Sequence, residues 1–204
     1  MNNVPNIVPF ALLPAAQAES APQLRGRIQA ASRLLSKALM LSALVFGAAV
    51  IAVLVAMLVY RGDGLQIGAS GMWIGDGEGP AGYVAFGSLP LVQRIIYVIV
   101  GIVRYAPAVF ILLNLGALFR LYGQGLVFGR ANAMHLRTVG LLLLLDAVLP
   151  FAVHVVLSST GTEIDRNWMH IESLQKLFAG AMLVVIAEVM KVGSEIEAER
   201  SQFV

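Results

Sequence analysis

The sequence predicts an all-α integral membrane protein, a bundle of four transmembrane helices with both termini in the cytoplasm. Of the 204 residues, 58% are hydrophobic and only 13% are charged, whereas soluble domains carry roughly 25% charged residues. Residues 38–60 form an uncharged apolar run, which at helical rise is long enough to cross a hydrocarbon core of about 30 Å. Three further apolar segments follow, and the loops between them are short enough for antiparallel neighbours.

The chain divides into a tail, a membrane domain and a second tail. Residues 1–37 are predicted to be a cytoplasmic tail with a basic amphipathic segment, which either lies on the membrane surface or simply flanks the first span. The membrane domain covers residues 38–192, and residues 193–204 form a cytoplasmic C-terminal tail. The predicted spans are about 38–60, 95–119, 138–158 and 174–192.

The connection between the first two spans, residues 61–90, is rich in glycine. Gly77, Gly79 and Gly82 match an isolated G-x-G-x-x-G pattern, but a dinucleotide site would need a preceding strand and a following helix. Neither is indicated, and Pro80 interrupts the pattern. The segment therefore predicts a compact loop or small hairpin at the membrane face, with no cofactor.

The distribution of Lys and Arg predicts the orientation in the membrane. Four of these residues lie in the segment 1–37 and three in the loop 120–137, whereas those of the other face are spread over two longer loops. Because positively charged loops stay in the cytoplasm, both termini and the loop 120–137 are predicted to be cytoplasmic.

Three polar residues interrupt the second and third spans: Arg104, Asp146 and His154. A charge at the bilayer centre costs ~2.5–3.5 kcal/mol on insertion scales, so such residues normally face the protein interior. Arg104 lies about 13 Å from the outer end of its span and Asp146 about 12 Å from the inner end of the next, within reach of an ion pair. The cluster indicates either a proton, ion or ligand path or a structural ion pair that fixes helix packing.

The loop 120–137 has more specific character than a connection between two spans requires. Three glycines interrupt it, and an apolar tip lies between Arg120 and Arg130. One interpretation is a surface that binds a cytoplasmic partner or anionic headgroups. The other is that Phe128 packs under the bundle while Arg130 and Arg137 only set orientation. The candidate docking residues are Arg120, Gly125, Phe128, Arg130, Asn132 and Arg137.

The same loop and the C-terminal stretch from residue 181 onward carry a family resemblance. The loop has a glycine, a phenylalanine three residues on, an asparagine four later, and then a basic residue before a glycine, at Gly125, Phe128, Asn132, Arg137 and Gly140. In this pattern the chain resembles the bacterial four-span membrane family named domain of unknown function 2975. Family members often carry a hydroxyl residue where Gly129 stands; glycine is also tolerated as a helix cap.

The resemblance implies a multi-pass protein of the bacterial inner membrane with no established activity. Genes of the family often neighbour one for a small helix-turn-helix regulator, so such a regulator is a candidate cytoplasmic partner. Apart from the lipid bilayer, no other partner is indicated; direct nucleic-acid binding is not expected, and the oligomeric state is not predicted.

Catalysis has little support in the sequence. The chain has no cysteine, and the signatures of serine hydrolases, zinc metalloproteases and P-loop nucleotide-binding proteins are absent. His135, His154 and His170 fall in three different environments, so no metal site is predicted. The sequence therefore favours a non-enzymatic membrane protein that acts through a cytoplasmic partner. The alternative is a small transporter or channel subunit that uses the cluster of Arg104, Asp146 and His154.

Overall fold

The computed structural model describes residues 16–68, 71–77, 79–127, 129–159 and 171–201. Four long helices make up most of these residues, and each is long and apolar enough to cross a membrane. The predicted all-α membrane fold with four spanning helices is therefore confirmed. The helices are α1 (Ala16–Val59), α2 (Leu91–Gly123), α3 (Arg130–Ser159) and α4 (Ile171–Ser201).

The helices pack in chain order, α1 against α2, α2 against α3 and α3 against α4. Neighbours are antiparallel, so the α2–α3 connection lies at one end of the bundle, the hairpin end, and the α1–α2 connection at the other, the cap end. Small residues allow the close approach of α1 and α2. A Cβ atom added at Gly116 would lie 3.1 Å from the Met40 side chain, and one at Gly101 would lie 2.7 Å from that of Leu54.

The basic segment before the first span is the beginning of α1 and not a separate surface helix. Residues 16–28 precede the level at which α1 meets the end of α2, and at helical rise they project about 20 Å beyond it. Arg25 and Arg27 are exposed on this extension. The N-terminal part of α1 therefore adds positive charge beyond the hairpin end.

Two polar side chains of α1 bind backbone carbonyls of α2. The buried Ser36 donates its hydroxyl to the carbonyl of Gly116 at 2.8 Å, and Arg33 Nε donates to the carbonyl of Gly123 at 3.0 Å. Gly123 is the last residue of α2, where carbonyls have no partner within the helix and the helix dipole is negative. Arg33 therefore caps α2 and fixes its end against α1.

Helices α3 and α4 cross at two buried glycines, Gly140 and Gly180. A Cβ atom on Gly140 would lie 2.8 Å from the carbonyl oxygen of Gly180, and one on Gly180 would lie 2.7 Å from the carbonyl oxygen of Gly140. Contacts this short to backbone atoms cannot be relieved by rotating a side chain. The two helices can therefore approach this closely only because both positions lack a side chain.

The cap end contains the hairpin expected from the glycine-rich segment, and a third strand in addition. The strands are β1 (Leu65–Gly68), β2 (Gly71–Ile74) and β3 (Val84–Ala85), and a short 3-10 turn, Phe86–Ser88, leads on to α2. The strands are antiparallel in the order β2-β1-β3. Ile67 of the central strand pairs with Met72 on one side and Val84 on the other.

The isolated glycine pattern is explained by the turns of this cap. Gly77 and Gly82 have positive backbone φ angles of 105° and 88°, which residues other than glycine rarely adopt. The buried amide of Gln66 donates to the carbonyl of Gly77 at 3.0 Å and accepts the N–H of Gly79 at 2.9 Å. The pattern therefore closes the loop onto its own central strand.

A buried arginine attaches the cap to α2. Arg94 is 1% exposed, and its guanidinium donates to the carbonyl of Leu89 at 3.0 Å and to that of Gly87. Beside it, the buried ring of Phe86 packs on Tyr97 with 5.6 Å between ring centroids. The cap therefore forms one apolar core with the adjoining ends of α1 and α2.

Candidate functional site

The first candidate site is an ion cluster of Arg104, Asp146 and Lys176, contributed by α2, α3 and α4. Arg104 Nη1 lies 2.9 Å from Asp146 Oδ1, and Lys176 Nζ lies 2.7 Å from Asp146 Oδ2. The carboxylate is nearly enclosed, with a side chain 10% exposed, whereas the two cationic side chains are about one-third exposed. One carboxylate therefore joins three helices inside the membrane domain.

The structure shows the predicted pair and adds a member to the cluster. Arg104 and Asp146 meet as their depths in the membrane suggested, and His154 lies eight residues beyond Asp146 on α3, about 12 Å along the helix. Lys176 of α4 joins Arg104 and Asp146. Its position within the least apolar span, near the beginning of α4, could have marked Lys176 as a candidate. Depth in the membrane alone does not determine whether its side chain faces Asp146.

The second candidate site is the α2–α3 hairpin, the connection that carries the family pattern. Helix α2 ends in a Schellman motif, in which the N–H of Leu126 donates to the carbonyl of Leu121 at 3.1 Å and the N–H of Gly125 to that of Tyr122 at 3.0 Å. Gly125 adopts a positive φ of 84°. This glycine is therefore needed to end the helix and reverse the chain.

The other side of the hairpin is fixed by Asn132, which is 1% exposed. Its side-chain amide donates to the carbonyl of Leu126 at 2.6 Å. Helix α3 begins directly after Gly129, whose carbonyl accepts the N–H of Ala133 at 3.1 Å. Glycine thus supports the helix start in place of the hydroxyl residue common in the family. The backbone of the hairpin is held from both helices.

The tip of this fixed hairpin exposes apolar side chains. Leu126 is 57% exposed and Val127 is 41% exposed. Arg120 and Arg130, the last-turn arginine of α2 and the first residue of α3, are also exposed on either side. Phe128, the third apolar residue predicted at the tip, lies outside the described residues.

The remaining residues of the family pattern join α3 to α4. Arg137 Nη1 lies 3.5 Å from Glu188 Oε1 in a half-exposed pair, and Gly140 forms the crossing with Gly180. A pair this exposed contributes at most about 1 kcal/mol to stability. Gly125, Asn132 and Gly140 therefore have backbone or packing roles, and the exposed apolar tip is the part of the hairpin that packing does not explain.

Comparison with known proteins gives one match. A family model described as "Protein of unknown function (DUF2975)" covers residues 81–202, more than half of the chain. The chain belongs to this family. No curated protein and no solved structure matches the chain.

The DUF2975 match begins within the cap and includes α2, the hairpin, α3 and all of α4, so both candidate sites lie inside it. The resemblance inferred from the hairpin pattern is thereby confirmed. The family description assigns no activity, and the four apolar helices indicate a multi-pass membrane protein. Within the described residues, no three His, Cys, Asp or Glu side chains lie close enough together to hold a metal ion.

Proposed function

We propose that this DUF2975 protein is a non-enzymatic protein of the bacterial inner membrane, whose α2–α3 hairpin binds a cytoplasmic protein. The observation that carries the proposal is the pair of exposed apolar side chains, Leu126 and Val127, on a loop whose backbone is fixed at both ends. A fixed apolar tip loses little conformational entropy on binding, which favours recognition.

The charges around the tip support a cytoplasmic location and indicate the chemistry of the partner. Arg120 and Arg130 are exposed beside the tip, and the α1 extension adds Arg25 and Arg27 beyond the same end. At the cap end Arg61 is exposed, Arg94 is buried and Lys176 is paired with Asp146. The surface fits an apolar pocket with acidic residues at its rim. A small helix-turn-helix regulator, suggested by gene neighbourhood in the family, is the first partner to test.

The test is site-specific photo-crosslinking from the tip. A photoreactive amino acid at Leu126 should crosslink the partner in intact cells, whereas the same amino acid at Leu34, an apolar residue of α1 that is 72% exposed, should not. Mass spectrometry identifies the crosslinked protein, which is then purified for direct binding measurements. Leu126→Ser combined with Val127→Ser should weaken its binding at least tenfold, because truncating central apolar contacts typically costs about 2 kcal/mol.

A matched variant separates binding from folding. Arg137→Gln changes a hairpin-end arginine that is engaged with Glu188, and it should leave both the affinity and the thermal stability nearly unchanged. The docking proposal fails if the double serine variant binds the crosslinked protein as tightly as the wild type does, or if it loses binding only because it no longer folds.

A second candidate function, a small transporter or channel subunit, is favoured by the ion cluster inside the membrane domain. Transport through this region would require Asp146 and would not require the apolar tip. A solute flux in proteoliposomes that Asp146→Asn abolishes, and that the double serine variant retains, would support this candidate over docking.

A further inference from the structure

The ion cluster contains one more positive charge than negative charge. Arg104 and Lys176 share the single carboxylate of Asp146, so the cluster carries a net charge of +1 when all three groups are ionised. An uncompensated charge at this depth is costly, and such groups normally find a counter-charge or reach the headgroup layer.

Both cations keep unused hydrogen-bond donors on side chains that are about one-third exposed. A guanidinium has five N–H donors, and within the described residues the only hydrogen bond that the Arg104 side chain makes is that from Nη1 to Asp146. The side chains of Arg104 and Lys176 are 34% and 31% exposed, whereas that of Asp146 is 10% exposed. The accessible side of the cluster is therefore its cationic side.

Lys176 lies near the cap-end limit of its candidate membrane span, Glu172–Ile196. Lys176 is five residues after the beginning of α4 at Ile171, about 8 Å along the helix. Lysine and arginine side chains extend several carbons and reach toward headgroups from such depths. The anionic groups present at that level are phosphates, and a guanidinium fork beside an ammonium group matches their oxygens well.

We propose that Arg104 and Lys176 together bind one phosphate group at the cap end of the membrane domain, between α2 and α4. Asp146 is a positioning residue: its two oxygens hold the two cations in place, and its own charge is already matched. The phosphate belongs to a lipid headgroup or to free phosphate in solution. The chemistry of recognition is the same for both sources, and the experiment distinguishes them.

The experiment follows thermal unfolding of the full-length protein in an uncharged maltoside detergent. One arm adds potassium phosphate and compares it with potassium chloride at equal ionic strength. The other adds a short-chain phosphatidylglycerol and compares it with a monoacylglycerol that has no phosphate. A ligand at about a hundred times its Kd should raise Tm by about 5 °C or more. A rise only with the phospholipid identifies a lipid site, and a rise with inorganic phosphate identifies a site for the free anion.

Substitutions then locate the effect. Lys176→Gln should weaken the affinity at least tenfold, and Arg104→Lys should weaken it while retaining the charge and the contact with Asp146. Lys37→Gln removes one positive charge from an exposed position on α1 and should leave the affinity unchanged. The proposal is overturned if neither phosphate source raises Tm, or if both cluster variants bind as tightly as the wild type does.

Discussion

Gly140→Ala should destabilise the protein by about 3 kcal/mol, with a fall in Tm of about 5–10 °C, because the added methyl group meets the backbone of α4. The new Cβ atom would lie 2.8 Å from the carbonyl oxygen of Gly180 and 3.0 Å from the amide nitrogen of Val184. Since both are backbone atoms, the helices must move apart. That movement would also separate Asp146 from Lys176, which bridge the same two helices.

The chain offers a matched control on α4 itself. Gly193 is exposed, and a Cβ atom added there would meet nothing within 4 Å. Alanine is favoured over glycine in helices by about 1 kcal/mol, so Gly193→Ala should leave Tm unchanged or raise it. The measurement is thermal unfolding of both variants in the same detergent. Equal Tm values for Gly140→Ala and Gly193→Ala would show that the glycine crossing is not a close contact.

Asp146→Ala should destabilise the protein by about 3–5 kcal/mol, more than Arg104→Ala does, because it leaves two cations without their carboxylate. Arg104→Ala removes one of the two cations and leaves Lys176 still bound to Asp146 at 2.7 Å. The double variant should be milder than the sum of the two single changes, because its members are in direct contact.

The appropriate comparison is the other ion pair between α3 and α4. Arg137 and Glu188 are about half exposed and 3.5 Å apart, so removing either should cost no more than about 1 kcal/mol. Chemical or thermal unfolding of the single and double variants gives the coupling energies. Strict additivity of Arg104→Ala and Asp146→Ala would contradict the ion cluster, as would equal costs for Asp146→Ala and Glu188→Ala.

The sequence was sufficient to predict the four spans because membrane insertion depends on local composition. Four observed helices are long and apolar enough to cross a membrane, and the positions of Arg104 and Asp146 were enough to predict their contact. Lys176 was not assigned to the cluster, since its contact depends on the rotation of α4 about its axis, which hydropathy does not determine. The same holds for Gly140 and Gly180, because the sequence does not show which glycines of α3 and α4 lie where the two helices cross.

The hairpin was predicted to carry more sequence features than a connection between two spans requires. The structure shows that most of these features serve the backbone of the hairpin. Gly125 ends α2 and Asn132 holds the loop. The residue pattern of the hairpin does not by itself distinguish such structural roles from a role in binding. The exposure of Leu126 and Val127 was one of two alternatives, because the sequence alone does not decide between an exposed apolar tip and one that packs beneath the bundle. The third strand of the cap depended on the pairing of Val84 with Ile67, which lies beyond the range of local turn signals.

The central claim is that the apolar tip of the α2–α3 hairpin faces the cytoplasm, and cysteine accessibility tests it most directly. Because the chain contains no cysteine, a single introduced thiol reports its own position. Leu126→Cys places the thiol at the hairpin tip, and Ser88→Cys places it at an exposed position of the cap. In cells with a permeable outer envelope and an intact inner membrane, a membrane-impermeant maleimide should label Ser88→Cys at once and Leu126→Cys only after the inner membrane is opened. Labelling of Leu126→Cys in the intact cells, with Ser88→Cys protected, would contradict the proposed orientation and with it the docking of a cytoplasmic partner.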